Sequence, residues 1–145
     1  MSKHTASAIV PYTQKQMYDL VIDMDRYPEF LPWCIKARKS EETETQFLSE
    51  MTVAFKGIRE TFKTMDYLEP GNKIIIRHLS GPFRHLESTW IFKPHGVDGS
   101  GCQIDFMINF QFNNPVLNFT LGPVFAQAST RMVAAFKDRA AAIYG

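Results

Sequence analysis

The chain has 145 residues, 16 basic and 15 acidic side chains for a formal charge of +1, and 45% hydrophobic against 21% charged content. That size and balance predict one globular domain over 1–145 and exclude a disordered chain. The near-zero net charge gives no electrostatic footprint for nucleic acid, so no DNA partner is expected.

The two cysteines, Cys34 and Cys102, fit no metal or redox spacing and read as free thiols in a reducing compartment. The N-terminus lacks a signal-type apolar region, and no apolar run approaches the ~20 residues of a membrane span. A soluble chain, at most peripheral to a membrane, is the expectation. Twelve phenylalanines either fill an ordinary core or line a hollow.

Residues 3–10 read as a short strand ending at Pro11. Thr13-x-x-Gln16 is a capping box, and Met17, Leu20, Val21 and Met24 behind it fall on one helix face, so a helix is predicted to end near Asp25. Asp25 is expected to cap the next turn. Pro28 and Pro32 then forbid a long helix; one turn from Pro28, broken at Pro32, is predicted. This connector carries Tyr27, Phe30, Leu31 and Trp33 and reads as a lid on the core or as a gate.

Strands follow at 33–40 and 45–56, with Phe47, Met51, Val53 and Phe55 on one parity. Residues 58–68 form a strand of mixed pattern whose facing is not readable. Beyond the Pro70-Gly71-Asn72 turn, Ile74, Ile76 and His78 share a face; beyond Ser80-Gly81-Pro82, so do Leu86, Ser88, Trp90 and Phe92. The clearest strand is 103–112, where Ile104, Phe106, Ile108, Phe110 and Phe112 oppose Asp105, Met107, Asn109 and Gln111, a half-buried antiparallel pattern.

The chain closes on its longest helical pattern. After Gly122-Pro123, apolar residues at Phe125, Ala128, Met132, Phe136 and Ile143 form one stripe. The preceding 116–121 segment is expected to swing, to touch a membrane or simply to pack. Loss of liposome binding in a Phe119→Asp, Leu121→Asp variant would identify membrane contact. An α+β fold follows, a curved antiparallel sheet closed by the terminal helix over an apolar space.

No nucleophile, metal or phosphate motif is present, so no catalytic residue is assigned and the chain reads as a non-enzyme. His85 and Glu87 lie on the solvent parity. His78, by parity, faces inward and is a candidate donor to a ligand carbonyl, or a rim histidine satisfied by backbone or water. Lining candidates from the sheet are Phe47, Met51, Val53 and Phe55, then Leu86 and Trp90, then Phe106, Ile108 and Phe110. Phe125, Met132 and Phe136 come from the helix, and Phe30 and Trp33 from the connector. The alternative for this whole set is a filled core.

Three strings narrow the choice. Tyr27-Pro-x-Phe30-x-Pro-Trp33, Gly81-Pro-Phe83-x-x-Leu86-x-x-x-Trp90-x-Phe92 and the closing helix resemble the coenzyme Q-binding START-like family. Its bacterial members are described as ribosome association toxins, and it lies within the polyketide cyclase, dehydrase and lipid transport superfamily. The resemblance implies a helix-grip fold, with seven antiparallel strands around a long helix and an apolar cavity. It implies ubiquinone or another prenyl lipid as ligand, with no other cofactor, in support of respiration or quinone biosynthesis. The alternative it implies is binding to the large ribosomal subunit to block subunit joining. A cytoplasmic place, with peripheral contact at the inner face of the inner membrane, goes with both. Such a carrier needs apolar area more than polar motifs, because a buried five-carbon isoprene unit gives roughly 3–4 kcal/mol.

Overall fold

The computed structural model describes residues 2–55 and 57–145. Seven strands form one antiparallel sheet in the order β1-β7-β6-β5-β4-β3-β2. They are β1 (Ser2–Val10), β2 (Cys34–Ser40), β3 (Gln46–Phe55), β4 (Ile58–Glu69), β5 (Lys73–Ser80), β6 (Phe83–His95) and β7 (Gly101–Phe112). Strands β2 to β7 meander. The helical crossover after β1 carries the chain from one edge of the sheet to the other.

That crossover starts as its residues dictate. In α1 (Gln14–Ile22) the Thr13 hydroxyl accepts from the Gln16 N–H at 3.1 Å, and the Gln16 side chain accepts from the Thr13 N–H at 2.8 Å. Both bonds satisfy donors that a helix start leaves unpaired. Thr13→Ala is therefore expected to cost about 1 kcal/mol of stability, measurable by urea denaturation.

The rest of the crossover departs from expectation. α1 ends at Ile22, and a 3-10 turn over Met24–Glu29 follows with Pro28 inside it. Pro28 therefore falls inside the turn and does not start it. The turn opens at Asp23 without a side-chain cap, and Asp25 sits in its first turn, so the capping role expected of Asp25 is not seen.

Facing follows parity in β7, where Ile104, Phe106, Ile108, Phe110 and Phe112 are all buried. In β4 the inward set is Phe62, Thr64, Asp66 and Leu68. Two polar residues on the buried side hide the alternation, which is why this strand defeats a hydrophobic reading. Register shifts at Cys34/Lys36, Lys63/Thr64 and Phe83/His85 mark the irregularities that help bend the sheet into a trough.

Gly81, between β5 and β6, holds φ +133°, and a Cβ placed there would lie 2.5 Å from Phe62 Cβ and 2.9 Å from Phe62 Cα. Gly81→Ala is thus expected to destabilise by about 2–3 kcal/mol, through strain and overpacking together. Thermal denaturation checks this, and an unchanged Tm would mean that the turn does not press on Phe62.

The C-terminal run forms two helices, α2 (Pro115–Thr120) and α3 (Gly122–Tyr144). Asn114 caps α2 by accepting from the Val116 and Leu117 N–H groups. In α3 the buried stripe is Ala128, Ser129, Val133, Phe136 and Ala140. Ile143, expected in the stripe, is 50% exposed; next to it the Tyr144 hydroxyl donates to the Gln16 carbonyl of α1. Leu121 is 4% exposed and packs, whereas Phe119 is 84% exposed. A test of membrane contact therefore uses Phe119 and Val116 and leaves Leu121 intact. Cys34 and Cys102 are free and buried, and burial pushes both thiols up to about 11.

Candidate functional site

Two aromatic clusters hold α3 across the concave face. Phe136 meets Trp90 at 5.2 Å, Tyr27 at 5.4 Å and Phe30 at 5.1 Å, all edge to face. Nearer the helix start, Phe125 meets Phe110 at 4.7 Å and Phe83 at 5.4 Å. The helix side of the space these clusters leave is Phe125, Ala128, Ser129, Met132 and Phe136.

This space is a cavity of about 80 Å³. Its sheet side comes from Met51 and Val53 in β3, Phe62 in β4, Ile76 in β5, Leu86 and Trp90 in β6, and Phe106 and Ile108 in β7. Met24, Tyr27 and Trp33 close it from the connector. Methionines on three different elements give it an adaptable wall.

Most expected lining residues are in place: Trp33, Met51, Val53, Leu86, Trp90, Phe106, Ile108, Phe125, Met132 and Phe136 bound the cavity. Five do not. Phe47 is fully buried beneath the Lys39 ammonium, 5.3 Å from its ring. Phe110 is consumed by packing on Phe125 and Phe112. Phe30 lies behind Phe136, with the Arg139 guanidinium 4.9 Å from its ring. Phe55, at the end of β3, is 40% exposed and lines a shallow outer groove. His78 shares the inward face, as expected, but its ring lies against Phe83 at 5.7 Å and does not border the cavity. Burial lowers its pKa, favouring the neutral ring.

The outer groove is bounded by Phe55, Leu121 and Val124, and by Trp33, Val53, Phe125 and Ala128, which also line the interior. Trp33, Val53, Phe125 and Ala128 thus form the wall that the two spaces share.

The sequence reading missed a polar corner. Thr64 donates to Asp66 Oδ1 at 2.6 Å, which leaves Ser49 to donate to Thr64 at 2.5 Å. All three border the cavity and all are buried, Asp66 to 3% exposure. Burial raises the Asp66 carboxyl to about 7, against the smaller lowering effect of the Thr64 and Ser49 hydroxyls. Asp66 pairs with Ile76, and Ile76 with Ser88, so Asp66 and Ser88 share a face two strands apart, roughly 10 Å. The Ser88 hydroxyl is buried, borders the cavity and has no hydrogen-bond partner among the described residues.

The signal for this corner was present in the sequence. Thr64 and Asp66 share parity with Phe62 and Leu68, and a polar pair on an otherwise apolar parity marks either an outward face or a site. The remaining titratable group on the lining is Tyr27, whose hydroxyl donates to the Val21 carbonyl and whose pKa burial raises well above the ordinary value. The lining holds no lysine, arginine or histidine. Among the described residues, no group of three or more His, Cys, Asp or Glu is placed to hold a metal ion. No described helix is long and apolar enough to cross a membrane.

Known proteins place this architecture. The chain is similar, at 41% identity over the whole of both chains, to the ribosome association toxin RatA of Pseudomonas aeruginosa. It is 28% identical to the mitochondrial coenzyme Q-binding protein COQ10 homolog B of Xenopus laevis, over 99% of this chain and 59% of that one. The Zhui aromatase/cyclase of a Streptomyces species superposes with a TM-score of 0.80 over 96% of this chain and 93% of its own, at 17% identity, which shows a shared fold alone. Neither of the two sequence relatives bears an enzyme's name, while the structural neighbour does. Residues 10–137, from the last residue of β1 into the last turns of α3, match the family described as polyketide cyclase / dehydrase and lipid transport, and the chain belongs to that family.

Proposed function

We propose that the chain binds an apolar small molecule between the sheet and α3, with ubiquinone or another prenyl lipid as the guest, and that it does so without catalysing a reaction. The observation that carries this reading is the cavity itself, apolar on almost every side and flanked by an apolar groove at Trp33. A lone carboxyl among hydroxyls supplies no nucleophile–base pair of the kind covalent catalysis needs. The lipid-transport description of the family and the coenzyme Q-binding name of the Xenopus relative favour the same ligand class.

At about 80 Å³ the cavity is smaller than the roughly 150 Å³ that accommodates benzene in an engineered protein core. Loading therefore requires Trp33 and the methionines at positions 24, 51 and 132 to turn aside and let the guest replace their contacts. Solvent extraction of the purified chain followed by mass spectrometry is expected to release a prenyl compound in near-stoichiometric amount. A folded preparation that yields none, and whose Trp33 and Trp90 fluorescence is unmoved by decylubiquinone, rejects the reading.

A second reading is favoured by the relative that matches end to end and is named for ribosome association. In it, the chain acts in the cytoplasm on the large ribosomal subunit and blocks subunit joining. Four of the outward cations, Arg38, Lys63, Arg77 and Lys93, are each within 4 Å of a carboxylate, so a ribosomal contact would meet paired charges at these positions. Co-sedimentation with isolated large subunits is its test. The two readings are compatible if the guest governs the surface.

A further inference from the structure

We infer that the cavity selects an uncharged amphiphile whose polar end is a carbonyl or hydroxyl oxygen, seated at Asp66 or, in a second pose, at Ser88, and that it rejects carboxylate- and phosphate-headed lipids. This rests on the apolar-guest reading above and adds to it the chemistry of the head.

Three observations carry it. The first is the unused Ser88 hydroxyl, buried and bordering the space. Buried polar groups are nearly always paired, and this one sits where a guest's oxygen would complete it. The second is the Ser49–Thr64–Asp66 chain on the same face, separated from Ser88 by the Ile76 side chain. The chain orients the Asp66 carboxyl and is itself satisfied, so it is a built feature and not a chance polar residue. Burial raises the Asp66 carboxyl to about 7, so that below neutral pH it holds a proton and can donate to a carbonyl or exchange hydrogen bonds with a hydroxyl.

The third observation concerns charge. With no lysine, arginine or histidine on the lining, a buried anionic head would meet no counter-ion. It would also raise the cost of any charge on Asp66, because like charges in a low-dielectric site disfavour one another. A fatty acid or a phospholipid would have to leave its head outside, in reach of neither Asp66 nor Ser88.

The test compares three guests of one ten-carbon prenyl skeleton: geraniol, geranate and the hydrocarbon 2,6-dimethyl-2,6-octadiene. Binding is measured by calorimetry at pH 6 and by the fluorescence of Trp33 and Trp90, which both border the cavity. Geraniol is expected to bind at least tenfold tighter than geranate and several-fold tighter than the hydrocarbon. Ser88→Ala is expected to narrow the gap between alcohol and hydrocarbon, and Asp66→Leu to close most of it. Should Asp66→Leu not fold, Ser88→Ala alone decides, since it removes one hydroxyl and no packing volume of consequence. Equal binding of geranate and geraniol overturns the charge selection. Equal binding of hydrocarbon and geraniol by the wild type overturns the polar seat while leaving the apolar-guest reading intact. Failure of all three to bind overturns both.

Discussion

Phe136→Ala is expected to lower the unfolding free energy by about 3–5 kcal/mol, the largest loss of any single truncation considered. Phe136 is 0% exposed and touches the sheet through Trp90, the 3-10 turn through Tyr27 and the segment after it through Phe30. Its removal costs the transfer energy of the ring and the energy of the void left behind, and that void joins a hollow of about 80 Å³ already present. At the surface, Glu29 and Arg139, paired at 2.8 Å, join the helix to the turn. The variant should therefore gain a distinctive property: a small aromatic such as benzene should raise its Tm more than that of the wild type, by linkage to the enlarged space. Urea denaturation and thermal scans with and without benzene check both parts. A loss below about 1 kcal/mol would mean that α3 does not close on the sheet through this residue.

Asp66→Asn is expected to stabilise the chain at pH 8 by about 2–4 kcal/mol and to leave it nearly unchanged near pH 4. Burial raises the folded-state carboxyl to about 7, while in the unfolded chain it titrates near 4. Between those values the folded state holds a proton that the unfolded state has released. The stability contributed by Asp66 is thus fully present below about pH 4, falls as pH rises, and is gone above about pH 7. Asparagine keeps the shape and much of the hydrogen bonding and never carries the charge. The neighbours do not reverse the sign: Ser49 and Thr64 are neutral, and Tyr27 stays protonated throughout because burial raises its phenol further. Equal stabilities of the two proteins at pH 8 would show that Asp66 bears its charge inside at no cost. The same buried acid is the proposed seat for the head of a guest, so stability given up near neutral pH is the expected signature of a site kept for binding.

Several elements were legible because one local rule decided them. The alternation in β7 predicts five buried residues and all five are buried. The Thr13–Gln16 box predicts both of its hydrogen bonds. Parity in β3 and β6 correctly sends Met51, Val53, Leu86 and Trp90 to the cavity. The same parity misplaces Phe47, Phe55 and Phe110, because it reports which face a residue occupies and not how far along the trough it lies. Phe55 runs past the edge of the trough, and Phe110 is taken up by the start of α3.

The polar corner was harder to read, for the opposite reason. Its residues break the alternation that makes a strand readable, so β4 looked featureless where it is most specific. His78 drew notice as a histidine with inward parity, yet its ring is spent on Phe83, and the group that borders the cavity is Asp66 one strand away.

By itself the amino-acid order determined the elements, the facing of most strands and the family, since periodicity, caps and turn residues act over a few positions and are written in consecutive letters. Tertiary structure alone decided the width of the hollow, the orphaned Ser88 hydroxyl, the raised pKa of Asp66 and the ion pair between residues 29 and 139. Each of these depends on which side chains from distant strands meet, and on how much water their meeting excludes, and neither quantity is carried by any stretch of chain read alone.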